Sequence, residues 1–141
     1  MKRIDVEFNF DYAHDEDRAS IVQYNVPDPD FEVLQKLFES GKLWLKAEDI
    51  QTELPTLAEC LTNDLWLYAI EDLLDIAHEA VIMDEEDNLD PMCQTLVKEL
   101  TALCPQPDSD KLAYLKAHAA TPTIQYLTSN CHYAITDLAA E

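Results

Sequence analysis

Lys2-Arg3-Ile4-Asp5-Val6-Glu7-Phe8-Asn9-Phe10 alternates apolar and polar side chains without a break. Ile4, Val6, Phe8 and Phe10 face one way; Arg3, Asp5, Glu7 and Asn9 face the other. That period of two is the mark of a half-buried strand. Residues 18–26 form a weaker second strand, with Val22, Tyr24 and Val26 on one face. Between them lies the polar, acidic run Asp11-Tyr12-Ala13-His14-Asp15-Glu16-Asp17. The pair therefore reads as a hairpin with a loop of about five residues. Two strands alone are marginal in water, so they must pack on helices or pair with another edge.

Outward from the hairpin, the chain turns helical. Pro27 ends the second strand, and Asp28 caps a helix with Pro29 at its first position and Phe31, Leu34, Leu37 and Phe38 as its apolar stripe. Ser40-Gly41 stops it, at the left-handed position glycine favours. Lys42-Leu43-Trp44-Leu45-Lys46 is ambiguous between strand and loop; the alternation leans towards extended structure. Residues 47–54 read as a short helix, and Pro55–Leu61 as a further helical turn. Thr62 or Asn63 caps a central helix over about 64–83. Asp90-Pro91 opens the next, with Met92, Leu96, Val97, Leu100 and Leu103 inward. Asp108 or Ser109 caps another that runs to about His118. Thr121-Pro122 opens a last helix, with Ile124, Leu127, Cys131, Ile135 and Leu138 at helical offsets.

Gly41 is the one glycine in 141 residues. Sheet-rich domains lean on glycine for turns and bulges, so its scarcity favours helices. The fold class expected is α+β, mostly helical: an N-terminal β-hairpin packed on five to six helices, in a single acidic domain over 1–141. Cys60, Cys93, Cys104 and Cys131 lie on apolar helix faces and read as small buried hydrophobes. Met1-Lys2-Arg3-Ile4-Asp5 does not read as the apolar run of a signal peptide, and no stretch approaches about 18 apolar residues. The expectation is a reducing, cytoplasmic setting with no membrane contact.

The abnormal quantity is charge. The chain carries 29 acids against 9 bases, for a net charge of −20. Residues 47–97 hold 14 Asp and Glu and no Lys or Arg. Disorder is the usual reading of such acidity, but 48% apolar residues at regular spacings argue against it. On a 100° wheel with Asp64 at zero, Tyr68, Asp72, Asp75 and Glu79 fall at about 20–80°, and Glu71 at about 340°. Leu65, Trp66, Ala69, Ile70, Leu73, Leu74, Ile76, Ala77, Ala80 and Val81 cover about 100–280°. The carboxylate stripe from Asp64 to Glu79 is about 22 Å long.

An acidic helix face is ordinarily a solvated one. Surface helices, however, intersperse signs, because like charges at i,i+4 cost stability. Here acids recur at that spacing as Glu71, Asp75 and Glu79, with no base to offset them. A surface shaped for Lys and Arg explains that pattern better. Asp64, Tyr68, Glu71, Asp72, Asp75, Glu79 and Glu86 are the expected partner-binding residues, with Tyr68 as the aromatic anchor.

Other motifs stay weak. Asp75-Ile76-Ala77-His78 has the i,i+3 spacing of half a di-metal bundle site, but no second copy exists. Asp84–Asp90 lacks the central Gly and the bidentate Glu of a calcium loop. Cys131-His132 are neighbours whose side chains diverge, poor geometry for a dyad. No phosphate-cradling glycine loop is present. The charge would repel nucleic-acid phosphates. No catalytic residue, metal or cofactor is expected. The function expected is an acidic inhibitor of a basic, nucleic-acid-directed protein: a toxin immunity protein or a nucleic-acid mimic. The alternative is a small acidic secretion or assembly chaperone with an apolar groove; an enzyme ranks third.

Overall fold

The computed structural model describes residues 2–10, 18–82 and 91–139. The fold is α+β and mostly helical. Strands β1 (Lys2–Phe10) and β2 (Arg18–Val26) come first, followed by α1 (Asp28–Glu39). Then come β3 (Leu45–Lys46), α2 (Ala47–Ile50) and α3 (Pro55–Ile82). The chain continues through α4 (Pro91–Leu103), α5 (Asp108–Ala117), α6 (Pro122–Ser129) and β4 (Cys131–Ala139).

The hairpin strands fall where the alternation puts them. Ile4, Val6, Phe8 and Phe10 are all buried, and the intervening residues are half-exposed. The sheet is larger than a hairpin, however. Four strands run antiparallel in the order β2-β1-β4-β3. Leu45 pairs with Ile135 and Lys46 with Ala134. The Phe8 ring sits edge-on to Tyr24 at 6.4 Å and to Tyr133 at 6.5 Å. Burial pushes the Tyr133 hydroxyl's pKa up, against a hydrogen bond with Thr62 that pulls it down.

β4 corrects the expected last helix. Helix α6 stops at Ser129, and Cys131, Tyr133 and Ile135 then alternate inward on a strand. Ile135 and Leu138 fit the helical offsets, but Tyr133, Ile135 and Thr136 are strand formers. Its place between β1 and β3 gives the strand a ladder with β1 and a second, short pairing with β3 at Ala134 and Ile135. A second correction joins the turn at Pro55 to the central helix. They are one helix of 28 residues. Pro55 occupies its first turn, where a missing N–H costs nothing. Thr62 and Asn63 are interior residues rather than caps, because buried Ala58, Leu61 and Leu65 carry the apolar face across them.

α1 begins at Asp28 with Pro27 as its cap residue, one position earlier than expected. It ends at Glu39 with Ser40 as its C-terminal cap, and Gly41 takes φ +97°, where a side chain would be strained. α2 is held by a side-chain clamp. The Lys46 N–H donates to Asp49 Oδ2 at 2.9 Å, and Lys42 Nζ donates to Asp49 Oδ1. The Lys42 hydrogen bond, then that of the Lys46 backbone, hold the Asp49 carboxyl below its ordinary pKa.

The chain forms two compact units. One gathers residues 2–9, 18–63 and 132–139, with Leu34, Leu45, Ile50, Leu61 and Ile135 fully buried. The other gathers residues 10, 64–82 and 91–131 among those described, with Ile70, Leu73, Leu96, Leu100, Leu115 and Ile124 buried. α3 belongs to the first through Asn63 and to the second from Asp64 onwards. In the second, α4 packs on α6. Glu99 of α4 accepts from Thr123 at 2.9 Å and from the Tyr114 hydroxyl at 3.4 Å, tying α5 and α6 to it.

The cysteines need a correction too. Cys93 and Cys131 are buried, but Cys60 and Cys104 are exposed. Cys60 lies on the outward side of α3, and Cys104 follows the end of α4. No disulfide joins the four.

Candidate functional site

The second unit opens a recess of about 230 Å³. Asp64, Leu67, Tyr68 and Glu71 line it from α3; Asp108 and Lys111 line it from α5. Each wall has a local cause. Positions 64, 67, 68 and 71 recur at the i,i+3 and i,i+4 spacing that stacks side chains on one helix face. Asp108 stands in the first turn of α5, where a carboxylate complements the exposed N–H groups and the helix dipole. Lys111, one turn later, reaches back to Asp108 at 3.7 Å. Its side chain is 15% exposed, while that of Asp108 is 73% exposed. Lys111 is therefore mostly covered, while Asp108 stands on the exposed side of the recess lining.

Of the expected partner-binding residues, Asp64, Tyr68 and Glu71 come together here. Tyr68 is 37% exposed, so part of its ring is available to a partner. Asp75 is exposed one turn beyond Glu71, and continues the line. Asp72 does not belong to the exposed face: it is 9% exposed. At about 80° on the wheel it borders Leu65 at about 100°, so the apolar arc takes it in. The exposed row is thus Tyr68, Glu71 and Asp75, with half-buried Asp64 on the same face, within an arc of about 60°. The Glu79 side chain and Glu86 lie outside the described residues, as do the 84–90 and 11–17 acidic runs.

Leu67, Asp108 and Lys111 were not legible as site residues. Asp108 has a helix-cap signal, but nothing in the sequence places it beside α3. The recess combines three carboxylates, an aromatic ring and one lysine. Such a set attracts ammonium and guanidinium groups through charge and through the ring. Its volume is below the roughly 300–1,000 Å³ usual for small-molecule sites. It is scaled to a side chain rather than to a metabolite.

Elsewhere on the surface, Leu43 and Trp44 stand 84% and 58% exposed between α1 and β3. Among the described residues, no helix is long and apolar enough to cross a membrane. No protein-family model, no curated protein and no solved structure matches this chain.

Proposed function

We propose that this protein is an acidic inhibitory binding protein. It neutralises a basic, nucleic-acid-directed partner by offering carboxylates to the groove with which that partner holds phosphates. The observation that carries this reading is the recess that Asp64, Glu71 and Asp108 line together with Tyr68. A partner's Lys or Arg inserted there meets several carboxylates at once, in a site partly shielded from water. Charge-assisted hydrogen bonds of that kind are about twice as strong as neutral ones. Asp75 extends the acidic row and steers the approach.

Lys111 sets the specificity. It already neutralises part of the recess, so an incoming cation must bring enough charge to compete with it. A partner with several clustered bases does so; a lone cation does not. A toxin's immunity protein and a nucleic-acid mimic both fit. In this reading the chain acts in the cytoplasm, without catalysis, cofactor or direct contact with nucleic acid or membrane.

A second reading has one observation in its favour. Exposed Leu43 and Trp44 could receive an apolar segment, as in a small acidic chaperone. Competition separates the two. Basic nucleic-acid-binding proteins loaded with fluorescent double-stranded DNA are titrated with this chain. Release of DNA by the wild type but not by Asp64→Lys/Glu71→Lys supports the inhibitor. Binding that survives this double reversal and is lost with Trp44→Ala supports the chaperone.

A further inference from the structure

We propose that two copies of this chain pair through the open edge of β2, as an antiparallel β2–β2 ladder across a two-fold axis. The order β2-β1-β4-β3 leaves β2 at one end of the sheet. Among the described residues no strand lies on its outer side. An edge of this kind carries a row of backbone donors and acceptors ready to template another strand. Proteins ordinarily blunt such edges with short strands, lysines, prolines or bulges. The opposite edge follows that rule. β3 is two residues long, and Lys46 is exposed on it. β2 does not. It runs for nine residues, with no Lys or Pro in its span. Ala19, Ser20, Ile21, Gln23 and Asn25 are exposed, and Ile21 is 67% exposed.

Electrostatics selects the occupant. Residues 18–26 contain one Arg and no Asp or Glu, in a chain with a net charge of −20. A basic partner gains most where carboxylates are densest, and that is not here. A second copy is repelled wherever carboxylates meet carboxylates. It can approach closely only along a surface that lacks them. An open backbone edge that is also free of acids therefore suits a copy of the same chain better than a cation-rich protein. Antiparallel pairing is self-complementary under a two-fold axis, since residue i meets j and j meets i. Centred on the nine-residue strand, it brings Ile21 of each copy one residue from the two-fold axis, where its exposed side chain gains a cross-strand neighbour.

The mechanism has a distinctive salt signature. Long-range repulsion between two −20 molecules is screened as ionic strength rises, while backbone pairing is not. Association should strengthen with salt. A head-to-tail contact between the Lys42–Lys46 segment and the carboxylate recess would weaken instead.

The test is sedimentation equilibrium of the full chain from micromolar to near-millimolar concentration, at low and moderate salt. The expected result is a monomer–dimer equilibrium that shifts towards dimer as salt rises. Ile21→Glu, which brings like charges close together near the axis, should lower the association constant at least about tenfold. Hydrogen exchange on the unmutated chain gives an independent readout. Amides within 18–26 should gain protection with concentration, and those of 131–139 should not. A monomer under all conditions overturns the proposal. So does a dimer that weakens with salt, or one whose formation leaves the β2 amides unchanged.

Discussion

Leu73→Ala measures how firmly α3 anchors the second unit. Leu73 is fully buried, and so are Ala69 and Ile70 beside it. The change removes three carbon atoms from a site without solvent access. At about 0.8 kcal/mol per buried CH₂, lost transfer alone is about 2.4 kcal/mol. Residual cavity adds about 24 cal/mol for each Å³ that the neighbours fail to fill. The expected cost is therefore about 2.5–5 kcal/mol. Unfolding entropy of about 2.1 cal/mol/K per residue gives roughly 0.3 kcal/mol/K for a chain of this length. Tm should then fall by roughly 8–17 °C. Urea unfolding followed by circular dichroism at 222 nm reads the same quantity, with the slope unchanged. Asp75→Ala, on the exposed side of the same helix, is the control. It removes a like charge and should leave stability equal or slightly higher. A loss below about 1 kcal/mol for Leu73→Ala, or a larger loss for Asp75→Ala, would mean that the buried face of α3 is misassigned.

Three further outcomes are expected. Ile135→Ala should cost about 2–5 kcal/mol, and the amides of 131–139 should exchange as slowly as those of β1, because β4 is a central strand. Rapid exchange there would contradict that strand order. Asp49 has a depressed pKa in the fold, so its contribution is fully present above its unfolded value of about 3.9 and is lost as pH falls through the folded one. Lys42→Met should therefore flatten the acid limb of a stability–pH curve below about pH 4; an unchanged limb would discount the clamp. The free protein's Tm should rise between low and moderate salt, since 9 bases cannot offset 29 acids. A flat or falling Tm would indicate carboxylates that are already neutralised.

Much of the fold can be read from particular residues. Ile4 to Phe10 alternates so strictly that one register buries every apolar side chain. Asp28-Pro29 and Ser40-Gly41 bracket α1, because proline suits a helix's first turn and glycine takes the positive φ just past its end. β4 escapes because residues 124–138 satisfy two periods at once. Ile124, Leu127 and Cys131 fit a helix, and Cys131, Tyr133 and Ile135 fit a strand. Pairing with β1 and β3 decides between them, and no local propensity encodes those partners. Half of the recess is equally legible. The wheel places Asp64, Tyr68, Glu71 and Asp75 on one face, because a helix imposes its own geometry. Asp72 sits at the border, where an error of about 20° decides between water and core. Asp108 and Lys111 arrive from another helix, and that approach is tertiary.

The central claim is that Asp64, Glu71 and Asp108 receive a partner's basic side chains. The most direct measurement is the salt dependence of the complex with a basic, nucleic-acid-binding protein that the chain captures in DNA competition. Affinity should fall steeply and log-linearly as salt rises. Asp64→Lys/Glu71→Lys should abolish binding with unchanged circular dichroism, and Lys111→Met should tighten it. Affinity indifferent to salt, or retained in the folded double reversal, would contradict the account.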